Sequence, residues 1–432
     1  MTLSFLKNKE IKNAGWIIGE QVFQMLISLI VGVLSARYLG PSNFGTLNYT
    51  ASFVTFFVSI TTLGMDGVII KKMIASPNQE GDYLGSCIFF RLIASILSII
   101  SVSLIVYLLN PDDSLKVVLV FLQSFQLIFR AINIFDSWFQ RYLKSKYVSL
   151  CKMFACIIVS AYKIFLLVTE KNVVWFALSN ALTDCVIAIM LYVFYKYECG
   201  QKLRVKIALG RDVLVDSYHF IISGLMGALY GQMDKIMIGQ MLSDADVGFY
   251  TTATTVCGMW LFVPVAVINS FRPKILELKQ RNDEKMYMRR LQQLYSAIIW
   301  LSIFVSIGIA VFAKPIIWIL YGEAYFGSLH VLRIAIWYET FAMIGTARGI
   351  WILCENKNKY VKYYLGIGAV INLVLNSIMI SFWGIEGAAI ATLITQFVTA
   401  IVAPLVFKET RAHTRIVWEA LTLKWYFRKD KI

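Results

Sequence analysis

Charged residues are scarce in this chain. They make up 16% of its 432 residues, and mean hydropathy is +0.67. Soluble domains carry about 25% charged residues, so an ordinary soluble fold is excluded. Cysteine offers no framework either. The seven, Cys87, Cys151, Cys156, Cys185, Cys199, Cys257 and Cys354, are odd in number and irregularly spaced, without a close CxxC pair. That excludes a disulfide scaffold and a zinc site. The three histidines, His219, His330 and His413, are scattered, with no Ser/His/Asp or metal-ligating constellation near them. No catalytic residue, metal ligand or cofactor is assigned, and the chain is not expected to be an enzyme.

What the chain has is apolar sequence, with 58% hydrophobic residues. Runs of about 20 apolar residues recur along its length, each long enough to span a bilayer as a helix. Backbone groups inside lipid must pair within their own segment, so such runs become helices. The expected fold is an all-α integral membrane protein with twelve transmembrane helices. They fall near 14–36, 46–69, 84–109, 116–138, 148–168, 173–195, 214–240, 247–271, 291–313, 326–353, 360–382 and 385–407. The first run holds Glu20, Gln21 and Gln24 and starts only at residue 14, so it reads as a mature helix rather than a signal peptide.

Basic residues divide sharply between the two sets of loops. The N-terminal segment, the even-to-odd span connections and the C-terminal tail carry 30 Lys and Arg residues. The opposite loops carry four: Arg37, Lys116, Lys171 and Lys314. By the positive-inside rule both termini are cytoplasmic. The net charge of +15 therefore lies beside anionic head groups, and no compact basic domain exists to hold nucleic acid. The outer loops are too short for an extracellular domain.

The polar loop at 201–213 divides residues 1–200, an N-terminal six-helix bundle, from residues 214–432, a second six-helix bundle with a basic cytoplasmic tail. Halves with an even number of spans share orientation if they are repeats. Leu39-Gly40-Pro41-Ser42-Asn43-Phe44-Gly45 and Leu242-Ser243-Asp244-Ala245-Asp246-Val247-Gly248 close corresponding outer turns.

Seven cations lie inside the spans: Arg91, Arg130, Lys152, Lys163, Lys235, Arg333 and Arg348. Each costs roughly 2.5 to 3.5 kcal/mol at mid-span, so such groups usually face a wet cavity. A cavity lined by cations suits an anionic cargo. Candidate substrate-binding residues are Arg91, Arg130, Lys152, Lys163, Arg333 and Arg348. Arg91 is also shallow enough to snorkel to the inner surface. Lys235 adjoins Asp234 and reads as a local pair. Arg333 and Glu339 lie on different faces and need not meet.

Polar residues follow helical spacing. Asn48, Ser52, Thr55, Ser59, Thr62 and Asp66 form one face, and Gln123, Gln126, Arg130, Asn133 and Ser137 another. Asp216, Ser223, Gly227, Tyr230 and Asp234 form a third. Lys152 and Lys163 point the same way, about 16 Å apart along their helix. Singly, Ser and Thr on such faces more often serve helix packing. Glu20, Asp66, Asp184, Asp234 and Glu339 are candidates for counter-charge, or for carrying a coupling proton or sodium ion.

Ala36-Arg37-Tyr38-Leu39-Gly40-Pro41-Ser42-Asn43-Phe44-Gly45 and Leu63-Gly64-Met65-Asp66-Gly67-Val68-Ile69-Ile70-Lys71-Lys72 resemble the first two helices of the polysaccharide-transporter family. Met233-Asp234-Lys235-Ile236-Met237-Ile238-Gly239 is similar to the start of that family's second half. These motifs mark the superfamily of multidrug, oligosaccharidyl-lipid and polysaccharide exporters, and its Wzx-type flippases most closely. The resemblance implies two six-helix bundles around a central V-shaped cavity. It implies a flippase in the bacterial inner membrane that moves undecaprenyl-diphosphate-linked oligosaccharide outward, for O-antigen, capsule or exopolysaccharide. It also implies membrane lipids, and pathway polymerase and chain-length regulator proteins, as partners. Two rival readings are a multidrug antiporter of the same superfamily, whose cargo is generally cationic, and a polytopic polymerase, which usually carries a large outer loop.

Overall fold

The computed structural model describes residues 9–423, so Lys7 and the last nine residues of the basic tail lie outside it. The described residues are helical with short connections and no strand. The helices are α1 (Lys9–Thr61), α2 (Asp66–Ala75), α3 (Glu80–Leu109), α4 (Ser114–Ser124), α5 (Gln126–Ile132), α6 (Phe135–Arg141), α7 (Ser145–Val168) and α8 (Val173–Tyr197). They continue as α9 (Ile207–Met241), α10 (Asp244–Gly258), α11 (Phe262–Gln280), α12 (Glu284–Val311), α13 (Ala313–Tyr321), α14 (Leu329–Cys354) and α15 (Val361–Phe397). A π-turn at Val398–Val402 leads into α16 (Ala403–Val406) and α17 (Arg411–Leu421).

Among the described residues, nine helical segments are long and apolar enough to cross a bilayer, where the sequence reading counts twelve spans. Two features account for the difference. Gly15–Ala75 runs for 61 residues and Asn358–Val406 for 49, each far longer than one crossing needs. Both are broken by a glycine outside helical geometry, Gly40 at φ 70° and Gly384 at φ 57°. In addition, α14 carries Arg333, Glu339 and Arg348 and is not among the nine.

Local sequence sets the helix starts. Asp113 caps α4 by accepting from the Lys116 amide at 3.1 Å. Asp283 caps α12 through Met286 at 3.0 Å. Ser243 and Asp246 cap α10 reciprocally. Each such cap satisfies amides that the helix leaves open, for about 1 kcal/mol.

The chain divides into two compact units, Met1–Gln232 and Met233–Ile432, each with its own core. The first core centres on Met65, Ile69, Phe135, Phe139, Cys151 and Leu191. The second centres on Leu291, Tyr295, Ile298, Ala347 and Trp351. The division falls inside α9, beyond the 201–213 loop, because that loop is fastened to the first unit. The Arg204 amide donates to the Gly81 carbonyl at 3.4 Å. Ser86 and Lys206 exchange two hydrogen bonds, and Lys206 pairs with Asp82 at 2.6 Å. Gln201 donates to the Pro77 carbonyl at 2.7 Å. Gly81 and Gly85, one turn apart on α3, leave room for this backbone: a Cβ on Gly85 would sit 2.9 Å from the Arg204 amide nitrogen. At the start of α9, Lys72 holds Asp212 and Asp216 at 2.6 and 2.8 Å. Asp216, placed on a polar face from its spacing, is thus used as a tether.

Candidate functional site

Two adjoining clefts lie within the first unit and share one side chain, Lys152. The first holds about 180 Å³. It is built by α2, α3, α5, α6, α7 and α8, which bring Asp66, Arg91, Arg130, Asp136, Lys152 and Asp184 together with Thr62, Asn133, Ser137 and Gln140. The fourth span is chopped into α4, α5 and α6, and these breaks present Arg130, Asn133, Asp136 and Ser137 to one space.

Charge in this first cleft is balanced, which departs from a purely cationic chamber. Arg91 is buried at 1% exposure and donates to Asp66 at 2.9 Å, so it does not snorkel to the surface. Arg130 Nε lies 3.3 Å from Asp184, which also accepts from Asn133 at 2.9 Å. Lys152 Nζ lies 3.6 Å from Asp136. Three cations therefore face three carboxylates. Pairing offsets the cost of keeping charge away from water, and removing one partner would leave the other uncompensated. Glu20, buried on α1, lies within the electrostatic reach of Lys152 and Asp136.

The second cleft has a different chemistry. It holds about 220 Å³ between α1, α7 and α8 and is lined by Lys152, Lys163, Gln24, Ser28, Ser160, Asn180 and Thr183 over a floor of Val31, Cys156 and Val159. Among the described residues, no carboxylate lines it. Lys163 is half-buried and, among the described residues, has no acidic side chain at ion-pair distance. Amides and hydroxyls around an unneutralised ammonium can satisfy an anion and the hydroxyls attached to it. Gln24, Ser28, Asn180 and Thr183 were not singled out from sequence. The signal for the first two is their i, i+4 spacing, which continues the Glu20–Gln24 spacing along the first helix.

Other expected site residues lie elsewhere. Arg333 is exposed on α14 and lines neither cleft. Arg348 is buried in the second unit, with its guanidinium 4.2 Å from the Tyr364 ring centre and donating to the Thr399 carbonyl at 2.6 Å. Thr399 sits in the π-turn, where the regular ladder is interrupted and a carbonyl is freed to accept. Arg348 thus ties α14 to that turn and lines neither of the two clefts. Glu339 is buried in the same unit.

Asp234 lies within the electrostatic reach of its neighbour Lys235, and its hydrogen bonds come from three neutral donors. Tyr250 Oη reaches it at 2.5 Å, Asn376 Nδ2 at 2.6 Å and Thr392 Oγ1 at 2.7 Å. Asn376 also donates to Asn372 Oδ1 at 3.1 Å, and its own Oδ1 is buried without a hydrogen-bond partner. This cluster of a carboxylate with hydroxyl and amide groups joins α9, α10 and α15. Among the described residues, no group of three or more His, Cys, Asp or Glu side chains could hold a metal ion. Asn372 and Asn376, i, i+4 in an apolar run, were missed from sequence.

Much of the polar stripe on the second span has the ordinary role. Asn48, Ser52 and Thr55 donate to carbonyls four residues back in their own helix at 2.7 to 2.8 Å.

Residues 11–273, more than half of the chain and the whole of both clefts, match the profile of a family described as polysaccharide biosynthesis protein. The chain belongs to that family. Among curated relatives, a probable low-salt glycan biosynthesis flippase, Agl15, of Haloferax volcanii is 26% identical over 191 residues, 44% of this chain and 40% of that protein. A putative O-antigen transporter of Salmonella typhi is 24% identical over 234 residues, 49% of this chain and 53% of that protein. The matched stretch thus spans about half the length of the curated relatives. Among solved structures, the lipid II flippase MurJ in an inward-closed conformation superposes with a TM-score of 0.74 at 16% identity, covering 96% of this chain and 92% of that one. This family member therefore has the fold of a multi-pass membrane transporter.

Proposed function

We propose that this protein is a flippase that carries a lipid-linked oligosaccharide across a membrane by alternating access. Its cargo is an undecaprenyl-diphosphate-linked repeat unit, taken from the cytoplasmic leaflet of the bacterial inner membrane to the outer leaflet for O-antigen, capsule or exopolysaccharide. Both termini are cytoplasmic on this reading, as the 30-to-four bias in basic residues supports. The observation that carries the proposal is the second cleft. There Lys163 faces amides and hydroxyls and, among the described residues, no carboxylate to neutralise it. The ammonium meets phosphate oxygens as a point charge, and the neutral groups meet sugar hydroxyls. The lipid tail stays in hydrocarbon throughout. A membrane potential negative inside favours outward movement of an anion by about 2.3 kcal/mol per charge per 100 mV. The Asp234 cluster supports a part for that carboxylate in coupling to a proton or sodium ion, since its donors are all oxygen or amide groups.

The test is genetic and biochemical. Lys163→Glu, expressed in place of the wild-type gene, should abolish surface glycan while lipid-linked intermediates accumulate and the protein remains in the membrane. Normal surface glycan in that variant would overturn the reading.

A further inference from the structure

A further space, within the second unit, is apolar. It holds about 310 Å³ between α12, α14, the end of α15 with its π-turn, and α17. Ile303, Phe341, Ile344, Ile401, Val417 and Trp418 are among the side chains that line it. The C-terminal helix α17 closes one side. Its buried residues, His413, Ile416, Val417 and Ala420, form one face. Three polar bonds hold it: His413 to Tyr295 at 2.9 Å, Thr414 donating to the Ile401 carbonyl at 3.0 Å, and Gln292 donating to Glu419 at 2.7 Å. These run to α12 and the π-turn, and the slot remains between them and α14.

The other face of α17 carries charge. Arg411, Arg415 and Trp418 follow at i, i+4 and i+7, and all three are exposed. Arg415 pairs with Glu419 at 3.0 Å. Arg411 and the exposed Lys408 before it have no acidic side chain at ion-pair distance among the described residues. Arg411 stands one turn from Thr414, and Arg415 one turn from Trp418, both of which line the slot. From Lys408 to the end of the sequence there are seven Lys and Arg against three Asp and Glu, and Trp425, Tyr426 and Phe427 fall in the same stretch.

An amphipathic helix with basic residues and a tryptophan on its free side lies in the plane of a membrane surface and is drawn to anionic lipid. On the proposed orientation that surface is the cytoplasmic one. Ile344 lies ten residues before the end of α14 at Cys354, about 15 Å, or half the hydrocarbon thickness. The slot therefore has the depth of an acyl chain, and the basic residues beside it have the depth of a head group. We propose that α17 and this slot form a site for one anionic phospholipid of the cytoplasmic leaflet. One acyl chain lies between α12 and α14, and the phosphate meets Lys408, Arg411 and Arg415. A zwitterionic head group brings its own cation against these three, so the site selects for net negative charge. Such a site holds whether or not the protein moves a glycan, and its failure leaves the flippase reading untouched.

The probes are phosphatidylglycerol and phosphatidylcholine with the same acyl chains, added to full-length protein in detergent while thermal unfolding is followed. A ligand that binds only the folded state raises the midpoint. Phosphatidylglycerol should raise it at a concentration at least tenfold lower than phosphatidylcholine. Lys408→Gln, Arg411→Gln and Arg415→Gln together should bring the two lipids level, each shift being read against the variant's own lipid-free midpoint. Ile303→Trp, which fills the slot, should also remove the preference while keeping every surface charge. Leu421→Trp, at the partly exposed end of the slot, serves as the second filling variant if Ile303→Trp fails to fold. Equal potency of the two lipids in wild type would overturn the site, as would a full preference for phosphatidylglycerol in the filled variants, which would place the lipid on the basic surface alone. Stabilisation by undecaprenyl phosphate and not by phosphatidylglycerol would overturn it in favour of a polyprenyl chain. A clear gain in phosphatidylglycerol potency on replacing Trp425 and Phe427 by serine would overturn it in favour of the chain's own C-terminal segment.

Discussion

Replacing Lys163 by glutamine tests the anion cleft most directly. Lys163 is half-buried, shares its cleft with Lys152 and neutral groups, and among the described residues no carboxylate in the cleft competes for it. A unit charge pair 4 Å apart is worth about 4 kcal/mol at an effective dielectric of 20. The side chain is partly accessible, so solvent lowers that figure, and a hydrogen bond to a charged group nets about 1.5–3 kcal/mol. At 1.4 kcal/mol per decade, this is a loss of about ten- to hundredfold in affinity. The assay is pyrophosphate binding to protein in nanodiscs, measured in parallel with thermal unfolding. Lys163→Gln should weaken binding by that factor with the unfolding midpoint unchanged or raised, because an unpaired ammonium is removed from a membrane cleft. Lys163→Arg should bind within a few-fold of wild type. An affinity for Lys163→Gln within threefold of wild type would refute the assignment, since no other unneutralised cation lines that cleft among the described residues.

Two further outcomes are expected. Gly85→Ala should lower the thermal midpoint of the protein, by an amount equivalent to about 1–3 kcal/mol, because its Cβ would press on the docked backbone at Arg204. Gly308→Ala, where nothing lies within 4 Å, should show the opposite sign as the helix propensity of alanine prevails. The C-terminal helix α17 should loosen in mild acid. His413 is fully buried there, with Nε2 2.9 Å from Tyr295 Oη, and burial beside Arg348 holds its pKa well below the ordinary histidine value. A base whose docked pKa is depressed favours the docked state above the free pKa of about 6.5. That contribution is lost as pH falls below it toward the docked value. Hydrogen exchange in 411–421 should therefore speed between pH 7.5 and 5.5 beyond the intrinsic rate change, and His413→Gln should remove the difference.

Composition and hydropathy alone establish that the chain lives in a membrane and that it is helical, and they supply the count of loop lysines and arginines on which the proposed orientation rests. Those properties follow from sums of local terms. A run of twenty apolar residues must bury its backbone polar groups in helical bonds whatever its neighbours are, and a loop lysine needs no partner to be counted. Arg130, Asn133 and Ser137, spaced as one face in the sequence, line the first cleft, and Lys152 and Lys163 line the second. What a face meets is not a local property. Six intramembrane cations were assigned to one cargo, but the fold gave Arg91, Arg130 and Lys152 each a carboxylate from another helix. It also gave Arg348 an aromatic ring and a freed carbonyl, and Arg333 an exposed position. Asp234, read against its neighbour Lys235, found its donors 16, 142 and 158 residues away. The electrostatic meaning of a charge in a low-dielectric medium depends on what stands within a few ångströms of it. Packing between helices sets that distance, and among the described residues it leaves Lys163 without a carboxylate in a cleft built from amides and hydroxyls.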